Sequence, residues 1–349
     1  MSSSHFEAPL LAIHVTIAPV KAALITRYKA PLEVAERPIP EPGPGELRIR
    51  VHAAGVNPVD YKTRNGDLKR AIQFALPVIP GNELAGVVDS LGAGATRFAV
   101  GDPVFARIAK QTMGGFAEYA VVAEALVARQ PKGLDHVHSA CLPLVGLTAW
   151  QALTERMKTQ PGHRILIHVG AGGVGTVAIQ LAKHLGAWVA TTCSPRNTEL
   201  VKSLGADQVI DYTSQDFTRA VADLDGVFDM LGGETRLKSF SVLKAGGVLC
   251  SIGGLIDVAT AREFGLAWPL RFVIGLANRK HDRAARIRGA SWSYLFMRPD
   301  GAQLAHLASL VEAGTLRPVL DKTYPLADIE AAYQYVASGR ARGKVVVTM

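Results

Sequence analysis

Six residues, Gly170-Ala171-Gly172-Gly173-Val174-Gly175, follow an apolar run over 164–169 and open a stretch with Val177, Leu181 and Leu185 at helical spacing. Glycine at the first, third and sixth places suits one kind of ligand chemistry. The first glycine permits a tight turn, the second lets main chain approach a pyrophosphate, and the third lets a helix pack closely on a sheet. Free N–H groups at the helix start then favour phosphate. A tight turn without a ligand is the alternative, and the strand–turn–helix context argues against it.

The next strand of such a unit ends about 20 residues further on, where NAD sites carry Asp or Glu for the ribose hydroxyl. Here the chain reads Thr191-Thr192-Cys193-Ser194-Pro195-Arg196-Asn197, with no acid. Ser194 offers a neutral donor and Arg196 a charged fork, and both suit a 2′-phosphate. NADPH is therefore favoured over NADH.

Two textures of sequence must position these residues. Residues 21–130 are rich in Pro, Gly and short β-branched runs, such as 47–51, 86–90 and 120–122, and read as a mainly β unit. From about 143 the pattern becomes strand, turn, helix, strand, with strands expected over 164–169, 188–192, 208–210, 226–230 and 248–252. That alternation predicts a doubly wound parallel sheet. The tail then reads as helix 302–313, strand 317–320, helix 328–336 and strand 344–347. We expect an α/β chain in which residues 143–288 interrupt a unit made from 20–142 and 289–349. Residues 1–19 read as an appendage, either a native tail or a segment ahead of a start at Val20.

The chain has 349 residues, 48% of them hydrophobic and 19% charged, enough for two domains with a sizeable core. No Lys or Arg precedes the apolar stretch over 9–20, so it makes a poor secretory signal. The stretch over 264–277 is broken by Pro269 and Arg271 and is too short to span a bilayer. No membrane partner is expected. Cys141, Cys193 and Cys250 lie far apart, which excludes a disulfide framework and fits a reducing, cytoplasmic setting.

The formal charge is +8. Residues 262–298 hold eight Lys or Arg against two acids and so carry most of it. Their densest part, 279–288, has no stacking aromatics, which favours a solvated helical face or a rim for an anionic substrate over nucleic acid.

Beyond the glycine loop, Gly114-Gly115-Phe116-Ala117-Glu118-Tyr119, Pro143-Leu144-Val145-Gly146-Leu147-Thr148-Ala149-Trp150 and Gly343-Lys344-Val345-Val346-Val347 resemble the medium-chain dehydrogenase/reductase superfamily. Asn57-Pro58-Val59-Asp60-Tyr61-Lys62 and Pro80-Gly81-Asn82-Glu83 resemble its zinc-independent quinone oxidoreductase branch. The likeness runs over nearly the whole chain after Val20. It implies a GroES-like β-rich domain and a Rossmann domain, with an active site between them, bound NADPH and a homodimer. By position it implies cofactor contacts from Gly170 to Gly175, Ser194, Arg196, Tyr212, Leu231, Gly253, Arg340, Ala341 and Arg342, with Asn57, Lys62 and Thr148 near the nicotinamide.

Zinc members of the superfamily place Cys where this chain has Asn57, and Gly-His-Glu where it has Gly81-Asn82-Glu83. Asn is a poor zinc ligand, and three cysteines cannot build a four-cysteine lobe. His136 and His138 read as ordinary loop residues. Without a metal to polarise a simple carbonyl, acceptors that delocalise the incoming charge are the natural substrates: quinones, or enones and alkenals. Asn57, Tyr61 and Lys62 are the expected donors to the developing oxyanion. A non-catalytic NADPH-binding protein is the rival from another class.

Overall fold

The computed structural model describes residues 19–349 apart from 70, 71 and 73, so all of the expected appendage except Pro19 lies outside the described residues. In chain order the strands are β1 (Val20–Leu24), β2 (Glu33–Arg37), β3 (Glu46–Val56), β4 (Glu83–Leu91), β5 (Pro103–Arg107), β6 (Tyr119–Ala123) and β7 (Val127–Arg129). There follow β8 (Arg164–Ile167), β9 (Trp188–Cys193), β10 (Gln208–Asp211), β11 (Leu224–Asp229), β12 (Leu243–Ser251) and β13 (Ser291–Tyr294). The last two are β14 (Leu320–Pro325) and β15 (Lys344–Thr348).

β1 and β2 form an antiparallel ribbon. β14-β15-β3-β4-β5-β7 form a mixed sheet, with β6 also paired to β3. β3 alternates buried Leu47, Ile49, Val51 and Ala53 with outward Arg48, Arg50 and His52, the period of a strand with one face on the core. The other sheet is parallel throughout, in the order β10-β9-β8-β11-β12-β13. Its central strands are continuous buried runs, Ile165 to Ile167 and Val189 to Cys193, as expected where helices cover both faces. β8, the first strand of this unit, sits mid-sheet, and the order reverses between β8 and β11. Ligands of open parallel sheets bind at such a switch point, and the glycine loop leaves β8 there.

One core spans both sheets. Ala53, Ala85 and Phe105 of the mixed sheet share it with Ile165, Val177 and Leu181 of the parallel unit and with Leu304 and Leu307 of the helix Gly301–Glu312.

Three readings of the sequence shift. The parallel sheet takes β13 from beyond 288, so we propose the division between units after Tyr294. The strand expected at 317–320 starts only at Leu320, because Arg317 N–H donates to Gln180 and Pro318 has no N–H to give a ladder. Pro269 breaks nothing: it lies in the first turn of a 21-residue helix, Trp268–Arg288, where its missing N–H costs no hydrogen bond.

The sheets are joined at Gly343. Its N–H donates to the Ala171 carbonyl at 2.9 Å, and Gly172 and Gly343 form a parallel bridge. Gly343 has φ +95° and a Cβ there would run into the Val319 carbonyl, whereas Gly101 has the same φ and a Cβ there would meet open space. Gly101→Ala should cost about 1 kcal/mol, the conformational term alone, and Gly343→Ala about 3 kcal/mol, measured as urea unfolding free energies.

Candidate active site

The glycine loop turns as its sequence requires. Val169 takes φ +57°, Gly170 N–H donates to the Thr192 carbonyl at 3.0 Å and Gly172 N–H to the Val169 carbonyl at 3.0 Å. A Cβ on Gly175 would lie 2.7 Å from the Gly170 Cα, so only glycine lets the helix Gly173–His184 close on the loop. Gly172 caps that helix with no side-chain partner for its first-turn amides. Ala171 and Gly172 line a cleft of about 810 Å³, and Ser194, Arg196, Tyr212, Leu231 and Ala341 line its walls. Seven expected cofactor residues thus meet in one cleft.

The remaining expected residues do not line it. Gly170, Gly173, Val174 and Gly175 shape the turn behind it. Arg340 and Arg342 flank it, with the Arg340 carbonyl 3.4 Å from the Arg196 guanidinium and Arg342 N–H donating to Asp321 at 2.9 Å. Thr148 is buried in the helix Pro143–Gln151, its hydroxyl donating to the Leu144 carbonyl at 2.7 Å. Lys238, on the helix Gly233–Ser239, joins the cleft wall without any motif announcing it.

Leu231 and Gly253 are set by a buried ion pair between Asp229 and Arg236, 3.2 Å apart and wholly shielded from solvent. The Asp229 carboxylate accepts from Leu231 N–H and Gly232 N–H, each at 2.9 Å, and from the Ser251 hydroxyl at 2.7 Å. The Arg236 guanidinium donates to the carbonyls of Gly253 and Leu255, so one pair fixes the loops after β11 and β12.

A second buried network lies under the helix start. The Lys344 ammonium donates to the Asn57 Oδ1 at 2.6 Å, Glu83 Oε1 at 2.7 Å and the Val56 carbonyl at 3.1 Å, which uses all three of its protons. Glu83 also accepts from Asn57 Nδ2 at 2.6 Å and from Leu144 N–H at 2.6 Å. Asp60 accepts from Asn57 N–H at 2.7 Å and Asn82 Nδ2 at 2.6 Å. Burial pushes the Asp60 carboxyl up to about 6 and the Arg107 guanidinium down to about 10. Asn57 was expected as an oxyanion donor, yet its amide hydrogens go to Glu83 and the Gly55 carbonyl at 3.2 Å, leaving none for a ligand. Tyr61 is half-buried and Lys62 exposed on the helix Pro58–Asn65, which begins at Asn57. Burial raises the Tyr61 phenol, with a smaller push from Asp67.

The alcohol dehydrogenase GroES-like domain matches residues 43–132, and a zinc-binding dehydrogenase domain matches 204–347. The chain is 34% identical to NAD(P)H oxidoreductase RTN4IP1, mitochondrial, of Mus musculus, over 88% of its own length and 82% of that protein. It is 35% identical to the NADPH-dependent alkenal/one oxidoreductase, chloroplastic, of Arabidopsis thaliana, over 88% and 73% of the two chains. Among solved structures, the quinone oxidoreductase of Coxiella burnetii superposes with TM-score 0.83 at 31% identity, over 95% of this chain and all of that one. The chain belongs to the medium-chain dehydrogenase/reductase superfamily, in its quinone oxidoreductase branch.

Zinc, named in one of the matched domains, does not fit the residues in its place. Asn57 and Asn82 present amides, and the Glu83 carboxylate is already neutralised by an ammonium at 2.7 Å. Among the described residues no three His, Cys, Asp or Glu side chains are grouped to hold a metal. The nicotinamide dinucleotide of this superfamily does fit, since Gly172, which starts a helix with no side-chain cap, lines the same cleft as Arg196.

The raised Asp60 carboxyl has a pH signature. Folded Asp60 keeps its proton to about 6 while the unfolded chain releases it near 3.8. Its ionisation therefore destabilises the fold as pH rises between those values, by roughly 3 kcal/mol. The His168 imidazole, lowered to about 4 by burial, acts in the opposite direction over the same range. Asp60→Asn removes the first effect only. Its unfolding free energy relative to the parent should rise by roughly 2–3 kcal/mol from pH 4 to pH 7, and a flat difference would contradict the assignment.

Proposed function

We propose that this protein is an NADPH-dependent, zinc-free reductase that passes hydride to quinones or to alkenes conjugated with a carbonyl. One observation carries the cofactor assignment: Ser194 and Arg196 stand together on the cleft wall directly after β9, in a segment 191–197 without a carboxylate, while the acids of the lining, Asp216 and Glu234, come from later elements. Ser194 and Arg196 bind the 2′-phosphate, with Lys238 adding charge. The first-turn amides after Gly172 hold the pyrophosphate, and Leu231 lines the path toward the nicotinamide, with Gly253 behind it against Arg236.

The bound cofactor supplies hydride at its nicotinamide ring. Residues of the chain place the acceptor and stabilise its developing oxygen charge. Tyr61 and Lys62 are the donors available for that role. Asn57 acts by position, fixing the helix that carries both, and Thr148 backs the nicotinamide pocket. Acceptors that spread charge to a distant oxygen need no Lewis acid, in keeping with the Lys344 ammonium lying against Glu83. The likeness to an alkenal/one oxidoreductase supports the double-bond acceptors alongside quinones.

β13 ends the parallel sheet with half-exposed residues, which supports strand pairing between two copies as a homodimer. The three cysteines are buried and free, in keeping with a reducing compartment such as the cytoplasm.

NADPH should bind more tightly than NADH in a fluorescence titration. Arg196→Ala should weaken NADPH by about 10- to 100-fold, the worth of one charge-assisted hydrogen bond, and leave NADH unchanged. Equal affinities in the parent would overturn the assignment. NADPH oxidation should be seen with quinones or enones in a preparation free of stoichiometric zinc. Binding without turnover on the whole panel would instead favour a non-catalytic NADPH protein.

A further inference from the structure

The helix Trp268–Arg288 seats one side on the parallel unit through Ile274, Asn278 and Ala285. Among the described residues nothing covers its opposite side. Trp268 is 71% exposed, Phe272 63%, Val273 56% and Leu276 44%. Positions 268, 272 and 276 are spaced one helical turn apart, and 273 lies beside them, so they make one apolar patch. Single exposed apolar residues are ordinary, but a contiguous patch with two aromatics marks an interaction surface.

The same face continues in different chemistry. At 100° per residue, Arg279, Lys280, Arg283 and Arg286 fall in the sector occupied by the patch, and all four are exposed. Within these turns the acid is Asp282, whose carboxylate accepts from the Trp292 indole N–H at 2.9 Å. The strip is therefore an apolar wedge followed by a cationic ramp, about 27 Å in all from 18 rises of 1.5 Å.

We propose that this strip docks the protein on the surface of an anionic lipid bilayer. Such a surface offers both things the strip lacks. Hydrocarbon at the headgroup boundary takes the Trp268–Leu276 patch, and lipid phosphates take the four cations. Pairing this strip with the same strip of a second copy would cover the patch but set the cations against a strip whose one acid, Asp282, already bonds Trp292. Nucleic acid would meet the cations and gain nothing from Val273 or Leu276. Among the described residues no helix is long and apolar enough to cross a membrane, so the attachment is peripheral. A membrane partner, unexpected from the sequence, enters through the pairing of wedge and ramp on one face.

Flotation of the full-length protein with vesicles tests this without any substrate. Binding to 1:1 phosphatidylglycerol/phosphatidylcholine vesicles in 100 mM salt should exceed binding to pure phosphatidylcholine by at least about tenfold. Trp268→Ser with Phe272→Ser and Leu276→Ser should lower it about tenfold or more. Arg279→Gln with Lys280→Gln, Arg283→Gln and Arg286→Gln should abolish the preference for anionic lipid. Both variants should keep the parent's thermal midpoint and NADPH affinity. The proposal is overturned if the parent ignores anionic vesicles, or if the triple Ser variant binds them as well as the parent. A halved particle mass in the triple Ser variant would overturn it in favour of a second copy. Retention on an RNA homopolymer that the Ser changes leave intact and that vesicles displace would show charge alone at work, and would overturn it too.

Discussion

Lys344 and Glu83 come from opposite ends of the chain and meet in its interior at 2.7 Å, with almost no exposure on either side. Burying two charges costs several kcal/mol each unless their geometry and remaining hydrogen bonds are complete. Here they are complete on the ammonium, and Glu83 has two further donors in Asn57 Nδ2 and Leu144 N–H. The pair therefore dictates more than itself. Lys344 follows Gly343, which joins the glycine loop, and its Cδ lies 3.1 Å from where a Cβ on Gly173 would stand. Through Leu144, Glu83 sets the start of the helix carrying Thr148. The floor of the cleft is thus registered to the mixed sheet by one buried contact.

Asp229 and Arg236 do the same work at the other wall. One acid and one base, both without solvent contact, fix the loops that end β11 and β12. The cleft is left with two different kinds of support. Its glycine turn is set by backbone geometry, and its walls by side-chain pairs that would be costly to leave half-made. Leu231 can therefore stay exposed on the cleft wall, since Asp229 and not its own side chain holds its loop.

The readings that held from sequence are those with local causes. The turn at the glycine spacing and the Rossmann alternation are each written within a few consecutive residues. What stayed illegible depends on distant partners. Nothing near Lys344 announces Glu83, 261 positions away, and Arg236 looks like any helical surface arginine until Asp229 is placed beside it. Asn57 misled for the same reason, because its residue type suits a donor while its neighbours consume both hydrogens. Pro269 looked like a break in an apolar run, whereas a first-turn position makes it compatible with helix.

The most direct measurement is a double-mutant cycle on Glu83→Gln and Lys344→Met, read as urea unfolding free energies with NADPH affinity measured on each folded variant. Each single change should cost about 3–5 kcal/mol, because it strands a buried partner, and should weaken NADPH. The double variant should be less destabilised than the sum by roughly 2–3 kcal/mol. Costs that add within about 0.5 kcal/mol, or NADPH affinity untouched in both single variants, would contradict a cleft registered by this pair.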